Sequence, residues 1–122
     1  MSSLKILPDI YWVGAVDWGA RNFHGHTYTT KRGTTYNAYL ILDDKVTLVD
    51  TVLGSFSTEL MENIRGVISP EKIDYIIANH VETDHSGALP DIMQLCPKAK
   101  VFGTQKYKEG LYRHYYGTGI FR

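Results

Sequence analysis

The apolar residues of this chain change their spacing near its middle, and that change limits the folds open to it. Before residue 51 they form short β-rich runs at residues 10–16, 36–42 and 46–50. Three polar residues separate the last two runs, which predicts an antiparallel hairpin. The polar stretch at residues 17–34, which contains Gly and Thr, predicts a long loop.

Beyond residue 55 the apolar side chains recur at the spacing of a helix. Phe56, Leu60, Ile64 and Val67 would lie on one face, with polar residues on the opposite face and Pro70 after the end. This pattern predicts an amphipathic helix that covers one side of a sheet.

Two further strand-like runs, at residues 73–78 and 100–103, alternate with two more helical patterns. Ser86 is the predicted N-cap of the first of these helices, and Thr104 precedes the second. Strands followed by alternating helices and strands predict a layered α/β or α+β fold, with helices on at least one face of the sheet.

The composition argues against several classes of partner. The chain has 122 residues, enough for one domain or part of one. Its 13 basic and 13 acidic residues balance, so its net charge predicts neither nucleic-acid nor membrane binding. No apolar run has the length of a signal peptide or a transmembrane helix.

Cys96 is the single cysteine and falls on the apolar face of a predicted helix, so we expect it to be buried. A lone thiol without a disulfide partner is typical of a reducing compartment, which predicts a cytoplasmic protein. Five aromatic residues are expected in the core or on a sheet face: Trp12, Trp18, Tyr36, Tyr39 and Tyr75.

Four potential metal ligands lie within six residues between a predicted strand and the next helix: His80, Glu82, Asp84 and His85. Side chains at alternate positions of an extended chain point to the same side, about 6.5 to 7 Å apart, so the first three can meet in one pocket. His85 needs a bend in the chain, which Gly87 and the start of the helix would supply.

Two imidazoles and two carboxylates exceed what one catalytic metal usually takes from a single local segment. A pair of metals, about 3.5 to 4 Å apart, would use these groups better. The added carboxylates favour iron, but zinc also accepts Asp and Glu, so the residues alone leave both metals open. A third interpretation is a solvated loop in which Asp84 and Ser86 only cap the helix.

The pattern His80-x-Glu82-x-Asp84-His85 resembles the metal-binding motif of flavodiiron proteins (A-type flavoproteins). That motif is a variant of the His-x-His-x-Asp-His signature of metallo-β-lactamase-fold hydrolases, and Glu at the second position is the distinguishing change. The similarity extends through most of the chain, at Trp18 and at residues 22–25, 33–40, 49–51 and 86–90.

The resemblance implies a metallo-β-lactamase-like αββα sandwich, of which residues 1–122 would form the N-terminal portion only. His80 and Glu82 would bind one non-haem iron, and Asp84 and His85 the other. A further His, a bridging Asp and a last His would come from later positions, as would the flavodoxin-like domain that binds FMN. His24 lies in a loop whose counterpart lines the open side of the irons, which implies a hydrogen bond to bound substrate.

The function implied by the resemblance is reduction of dioxygen to water, of nitric oxide to nitrous oxide, or of both. Rubredoxin or a reduced flavin or deazaflavin would donate electrons, and FMN would pass them between subunits of a head-to-tail dimer. These residues alone are expected to show little or no turnover. Two alternatives stay open: a di-zinc hydrolase of the same fold, and a non-catalytic truncated or split module.

Overall fold

The computed structural model describes residues 3–19, 22–23, 28–29, 33–80 and 82–114. The strands within these residues are β1 (Leu4–Leu7), β2 (Ile10–Trp12), β3 (Ala15–Asp17), β4 (Asn22–Phe23), β5 (Tyr28–Thr29), β6 (Thr34–Tyr36), β7 (Tyr39–Ile41), β8 (Thr47–Val49), β9 (Tyr75–Ile77) and β10 (Lys100–Phe102). The helices are α1 (Ser57–Arg65), α2 (Thr83–Ser86), α3 (Leu89–Leu95) and α4 (Gln105–His114), and two 3₁₀ turns are Gly54–Phe56 and Pro70–Lys72.

Six strands form the main sheet, in the order β1-β2-β7-β8-β9-β10. The predicted hairpin is confirmed, because β7 and β8 pair antiparallel with Leu40 opposite Leu48. From β8 onward the sheet becomes parallel, since β9 pairs parallel with both β8 and β10. Helices connect these parallel strands, as crossover connections require.

The core lies between one face of the main sheet and helices α1 and α3. The middle residue of each of the neighbouring strands β7, β8 and β9 points to this side and is fully buried. These residues are Leu40, Leu48 and Ile76. They belong to one apolar cluster with Leu60 and Ile64 of α1 and with Leu89 and Ile92 of α3. The predicted amphipathic helix and the layered arrangement are therefore confirmed. Cys96 is buried in the same cluster, and its burial raises the pKa of the thiol to about 11.

The strand predicted at residues 10–16 is instead two strands in different sheets. Strand β2 belongs to the main sheet, whereas β3 pairs with β6 in a separate two-stranded sheet. The chain bends between them, where the Asn63 side-chain amide donates to the carbonyls of Val13 (3.2 Å) and Gly14 (2.8 Å). A Cβ atom on Gly14 would lie 2.0 Å from the Tyr36 carbonyl oxygen, so only glycine fits at this bend.

The prediction of a long loop at residues 17–34 was wrong where these residues form strands. Strands β4 and β5 lie within it and pair antiparallel, and Thr34 already belongs to β6. Gly33 has a φ of +83°, and a Cβ there would meet the Asp17 carbonyl oxygen at 1.9 Å. The return of the chain beside β3 therefore requires glycine at this position.

Ser86 is not the N-cap that the sequence suggested. It is the last residue of α2, and its hydroxyl donates to the Glu82 carbonyl oxygen at 3.0 Å. Helix α3 begins after Ala88, whose side chain makes no capping bond, and has Pro90 in its first turn. A helix follows Thr104 as predicted, and the Lys108 amide donates to the Thr104 carbonyl at 3.0 Å.

Four of the five aromatic residues lie in the core or on a sheet, as expected. Tyr39 belongs to β7 and Tyr75 to β9, while Trp12 and Tyr36 are buried. Trp18, by contrast, follows β3 in a turn and is 68% exposed, so its predicted place in the core or on a sheet face was wrong. None of the described helices combines the length and the apolar character that crossing a bilayer requires.

Candidate metal centre

The four candidate ligands lie at the carboxyl end of strand β9, in a stretch that we call the ligand segment (residues 79–86). His80 follows the strand in an irregular stretch, and α2 contains Asp84 and His85. Strand β9 is central in the parallel part of the sheet, and ligands of α/β proteins commonly bind at this end of parallel strands.

The structure brings the four side chains together. One ligand atom each from His80, Glu82 and Asp84 lie within 4.8 Å of one another. His80 Nε2 is 3.6 Å from a Glu82 carboxylate oxygen, and His85 Nε2 is 3.6 Å from Asp84 Oδ2. The centroids of the two imidazole rings are 5.2 Å apart. These separations are compatible with a cation held between the imidazole and carboxylate groups.

The path of the chain differs from the extended geometry that the sequence suggested. Helix α2 begins at Thr83, and the amides of His85 and Ser86 both donate to the Glu82 carbonyl at 2.9 Å. This helical turn directs Asp84 and His85 back toward His80 and Glu82. The expected extended spacing beyond residue 82 was therefore wrong. Of the two expected sources of the bend, the start of a helix is confirmed, whereas Gly87 lies after α2.

Burial differs across the cluster. The side chains of His80 and Glu82 are 47% and 46% exposed, whereas those of His85 and Asp84 are 22% and 16% exposed. His85 Nδ1 is buried and has no hydrogen-bond partner among the described residues. Such an atom in a native protein normally has a partner. The donor set, two imidazoles and two carboxylates close together, therefore fits metal ions that bind nitrogen and oxygen.

Tyr36 lies close enough to this cluster to respond to its charge. Its hydroxyl donates to Asp17 Oδ2 at 2.7 Å. Burial raises the pKa of the phenol most, followed by the hydrogen bond to Asp17 and by the negative charges of Asp17 and Asp84. The phenol consequently stays protonated, and it donates rather than accepts at the border of the ligand segment.

Sequence reasoning missed the residues that support the ligand segment from strand β8. The Asn79 amide donates to Asp50 Oδ1 at 2.8 Å, and the Thr51 hydroxyl donates to the His85 carbonyl at 2.8 Å. In the sequence, residues 49–51 are distinguished only by their resemblance to the family. His24, the remaining predicted site residue, lies outside the described residues.

Comparison with known proteins gives the same family throughout. Residues 34–119 match the family model described as ODP family beta lactamase. The chain is 54% identical over 112 residues to a nitric oxide reductase of Moorella thermoacetica and 43% identical over 116 residues to the rubredoxin-oxygen oxidoreductase of Megalodesulfovibrio gigas. These matches cover 92% and 95% of this chain but only 28% and 29% of the relatives.

Solved structures agree with the sequence relatives. The rubredoxin oxygen:oxidoreductase from Desulfovibrio gigas superposes with a TM-score of 0.88 at 43% identity, over 93% of this chain and 28% of that one. The flavodiiron protein from Giardia intestinalis gives 0.86 at 36% identity, over 93% of this chain and 27% of that one. A metallo-beta-lactamase from Cronobacter sakazakii gives 0.72 at 18% identity, over 93% and 38% of the two chains, a likeness of fold alone. The predicted metallo-β-lactamase-like fold is confirmed.

Proposed function

This chain belongs to the ODP family beta lactamases and corresponds to the N-terminal part of flavodiiron proteins, and from that premise we propose that it supplies half of a non-haem di-iron site. The site would reduce dioxygen to water, nitric oxide to nitrous oxide, or both. One observation supports this proposal above the others: ligand atoms of His80, Glu82 and Asp84 converge within 4.8 Å, with His85 beside Asp84.

Each iron would take one imidazole and one carboxylate from the ligand segment. The short distances pair His80 with Glu82 and Asp84 with His85, and this is the division that the family motif implies. Iron ions, when bound, would supply the electrons and the open coordination positions that the reduction needs. The carboxylates would contribute negative charge. This charge stabilises the higher oxidation state of iron more than a ligand set made only of imidazoles would.

The side chains of this segment would also control access to the site. Asp84 and His85 are largely buried and would hold their ion away from solvent, while His80 and Glu82 lie on the open side. His24 would donate a hydrogen bond to the bound substrate, which is the role that the resemblance to the family implies.

The chain spans about 28% of the length of the curated relatives that it matches. We therefore propose that the remaining metal ligands come from the part of such a protein that follows residue 122. Residues 1–122 would form part of the di-iron domain, and later positions would supply the other ligands and a flavodoxin-like domain with FMN. The name of the Megalodesulfovibrio gigas relative supports rubredoxin as the electron donor. A head-to-tail dimer and a cytoplasmic location complete the proposal, the latter supported by the lone thiol of Cys96.

The test is metal analysis of the full-length natural protein after anaerobic purification from iron-replete cells. We expect about two irons per chain and consumption of nitric oxide or dioxygen by the reduced protein. Glu82→Ala should lose at least one iron and at least about 10-fold in turnover, because loss of a ligand exceeds the effect of losing an outer partner.

Glu62→Ala is the matched control, since Glu62 is an exposed carboxylate on α1 away from the ligand segment. It should keep both the iron and the turnover. Protein that contains only zinc under these conditions, and hydrolyses esters or phosphodiesters, would overturn the proposal in favour of a hydrolase. Equal iron contents in the two variants would exclude Glu82 as a ligand.

A further inference from the structure

A second stretch of chain runs directly beside the ligand segment, and we call it the supporting segment (residues 50–54). It leaves the carboxyl end of β8, the strand that pairs parallel with β9. The two segments therefore start side by side at the same edge of the sheet. The Val52 carbonyl accepts the Ala88 amide at 2.9 Å, and a Cβ on Gly54 would lie 3.3 Å from the Gly87 carbonyl. This backbone contact extends to the end of the ligand segment and past it.

Asp50 holds the start of the ligand segment. Its amide donates to the Ile77 carbonyl and its Oδ1 accepts the Asn79 amide, both at 2.8 Å. Its φ is 61°, a conformation that side-chain-bearing residues rarely adopt. Such strain persists where the surroundings fix it, and here the two hydrogen bonds to the end of β9 do so. The residue before His80 is thereby fixed relative to the sheet.

Thr51 holds the other end. It is 1% exposed, and both its amide (3.0 Å) and its hydroxyl (2.8 Å) donate to the His85 carbonyl. Two donors on one carbonyl fix both the position and the direction of that peptide group. Because His85 lies on a four-residue helix, which has little stability of its own, these bonds from outside determine its orientation.

We propose that Asp50 and Thr51 are positioning residues, which fix the two ends of the ligand segment so that its imidazoles and carboxylates converge before any metal binds. This inference rests on the proposed function, since it assigns a task to two residues that bond main-chain atoms of the ligand segment. It predicts that metal affinity depends on the Thr51 hydroxyl and on the Asp50 carboxylate, although neither residue is a ligand.

Two pairs of variants test it in the full-length protein, with Co²⁺ as the probe. Thr51→Val removes the hydroxyl at nearly constant shape, while Thr51→Ser retains it. Asp50→Gly keeps the backbone conformation without the acceptor, while Asp50→Asn retains an acceptor oxygen and tolerates positive φ. We expect Thr51→Val and Asp50→Gly to lose about 10- to 100-fold in Co²⁺ affinity, as outer partners of metal ligands commonly do. Thr51→Ser and Asp50→Asn should bind nearly as the wild type.

Ser57→Ala is the control for loss of a buried hydroxyl, because Ser57 is 6% exposed and donates to the Gly54 carbonyl at 2.6 Å. It should lower Tm about as much as Thr51→Val while leaving the visible absorption spectrum of bound Co²⁺ unchanged. In Thr51→Val that spectrum should shift, because the geometry of the ligands changes. Stability alone would not move the spectrum.

Wild-type affinity and spectrum in both Thr51→Val and Asp50→Gly would overturn the inference, as would equal losses in Thr51→Val and Ser57→Ala. Should Thr51→Val fail to fold, the Asp50 pair decides the question by the same two measurements. A wild-type protein that takes up neither iron nor Co²⁺ would instead overturn the proposed function, and this inference with it.

Discussion

The two ends of strand β9 use carboxylates in opposite ways. At the amino end, Asp74 Oδ2 accepts the Val46 amide at 2.9 Å and Oδ1 lies 3.2 Å from Lys98 Nζ. The hydrogen bond from Val46, followed by the bond and charge of Lys98, lowers the pKa of this carboxyl. The main chain of Asp74 is also paired, with Val46 and with Lys100. Both oxygens of this carboxylate therefore have a partner among the described residues.

At the carboxyl end, two carboxylates face two imidazoles at 3.6 Å, and His85 Nδ1 has no partner among the described residues. Only three strand residues separate this end from the other. At the amino end of β9, the Asp74 carboxylate is paired with nearby protein groups. At the carboxyl end, the carboxylates and imidazoles form a cluster that suits an added metal ion. One strand therefore carries a structural carboxylate at one end and candidate metal ligands at the other.

The largest expected effect comes from the residue between the two ends. Ile76 is fully buried in the middle of β9, so Ile76→Ala should destabilise the protein by about 2 to 5 kcal/mol in urea unfolding. Both ends should loosen together, which hydrogen exchange of the Asp74 and Asn79 amides would report. Ile77→Ala, on the half-buried opposite face, is the control and should cost less. Faster exchange of only one of the two amides would show that the two ends of β9 are not coupled through Ile76.

A smaller effect is expected where the core meets the ligand segment. Tyr36→Phe removes the hydrogen bond to Asp17 and should cost about 0.5 to 1.5 kcal/mol at neutral pH. The folded pKa of Tyr36 is raised, so its contribution is complete below the unfolded pKa, near 10, and is lost as pH rises toward the folded value.

Urea unfolding at neutral and alkaline pH would measure this difference. The wild type should lose more stability on the alkaline side than Tyr36→Phe, which has no phenol to titrate. Parallel losses in the two proteins would contradict the raised pKa, because they would show that Tyr36 ionises as readily in the folded state as in the unfolded one.

The smallest effect is expected at the amino end of β9. The folded pKa of Asp74 is lowered, so its contribution is present above the unfolded pKa of 3.8 and is lost as pH falls through the folded value. Asp74→Asn should lower Tm slightly at neutral pH and flatten the loss of Tm on acidification. Asp91→Asn, an exposed carboxylate on α3, is the matched control. A steep acid loss in Asp74→Asn would contradict the assignment.

The fold was predictable where one face of an element decides its burial. The hairpin of β7 and β8 and helix α1 follow from the period of their apolar residues, and both formed as expected. The bend after Val13 was not predictable, because it depends on Asn63, 50 residues away. Ser86 had the chemistry of a cap, but the bond it makes depends on the short helix α2, which has no apolar period of its own.

The candidate site was predictable in composition but not in shape. Four ligand-type side chains within six residues are visible in any reading of the sequence. The residues that support these side chains are not visible in the sequence, because Asp50 is 29 residues from Asn79 and Thr51 is 34 residues from His85. Such contacts arise from the parallel pairing of β8 and β9, and no local pattern near either residue signals them.

The amide of Asn63 has a consequence for how the surroundings of this site can be tuned. It reaches from the middle of α1 to both carbonyls of the bend between β2 and β3, where the chain leaves the main sheet and continues into β3. Tyr36 of β6 donates from its hydroxyl to Asp17 of β3. Lengthening the Asn63 side chain by one methylene, from Asn to Gln, would therefore displace the bend and weaken the hydrogen bond between Tyr36 and Asp17.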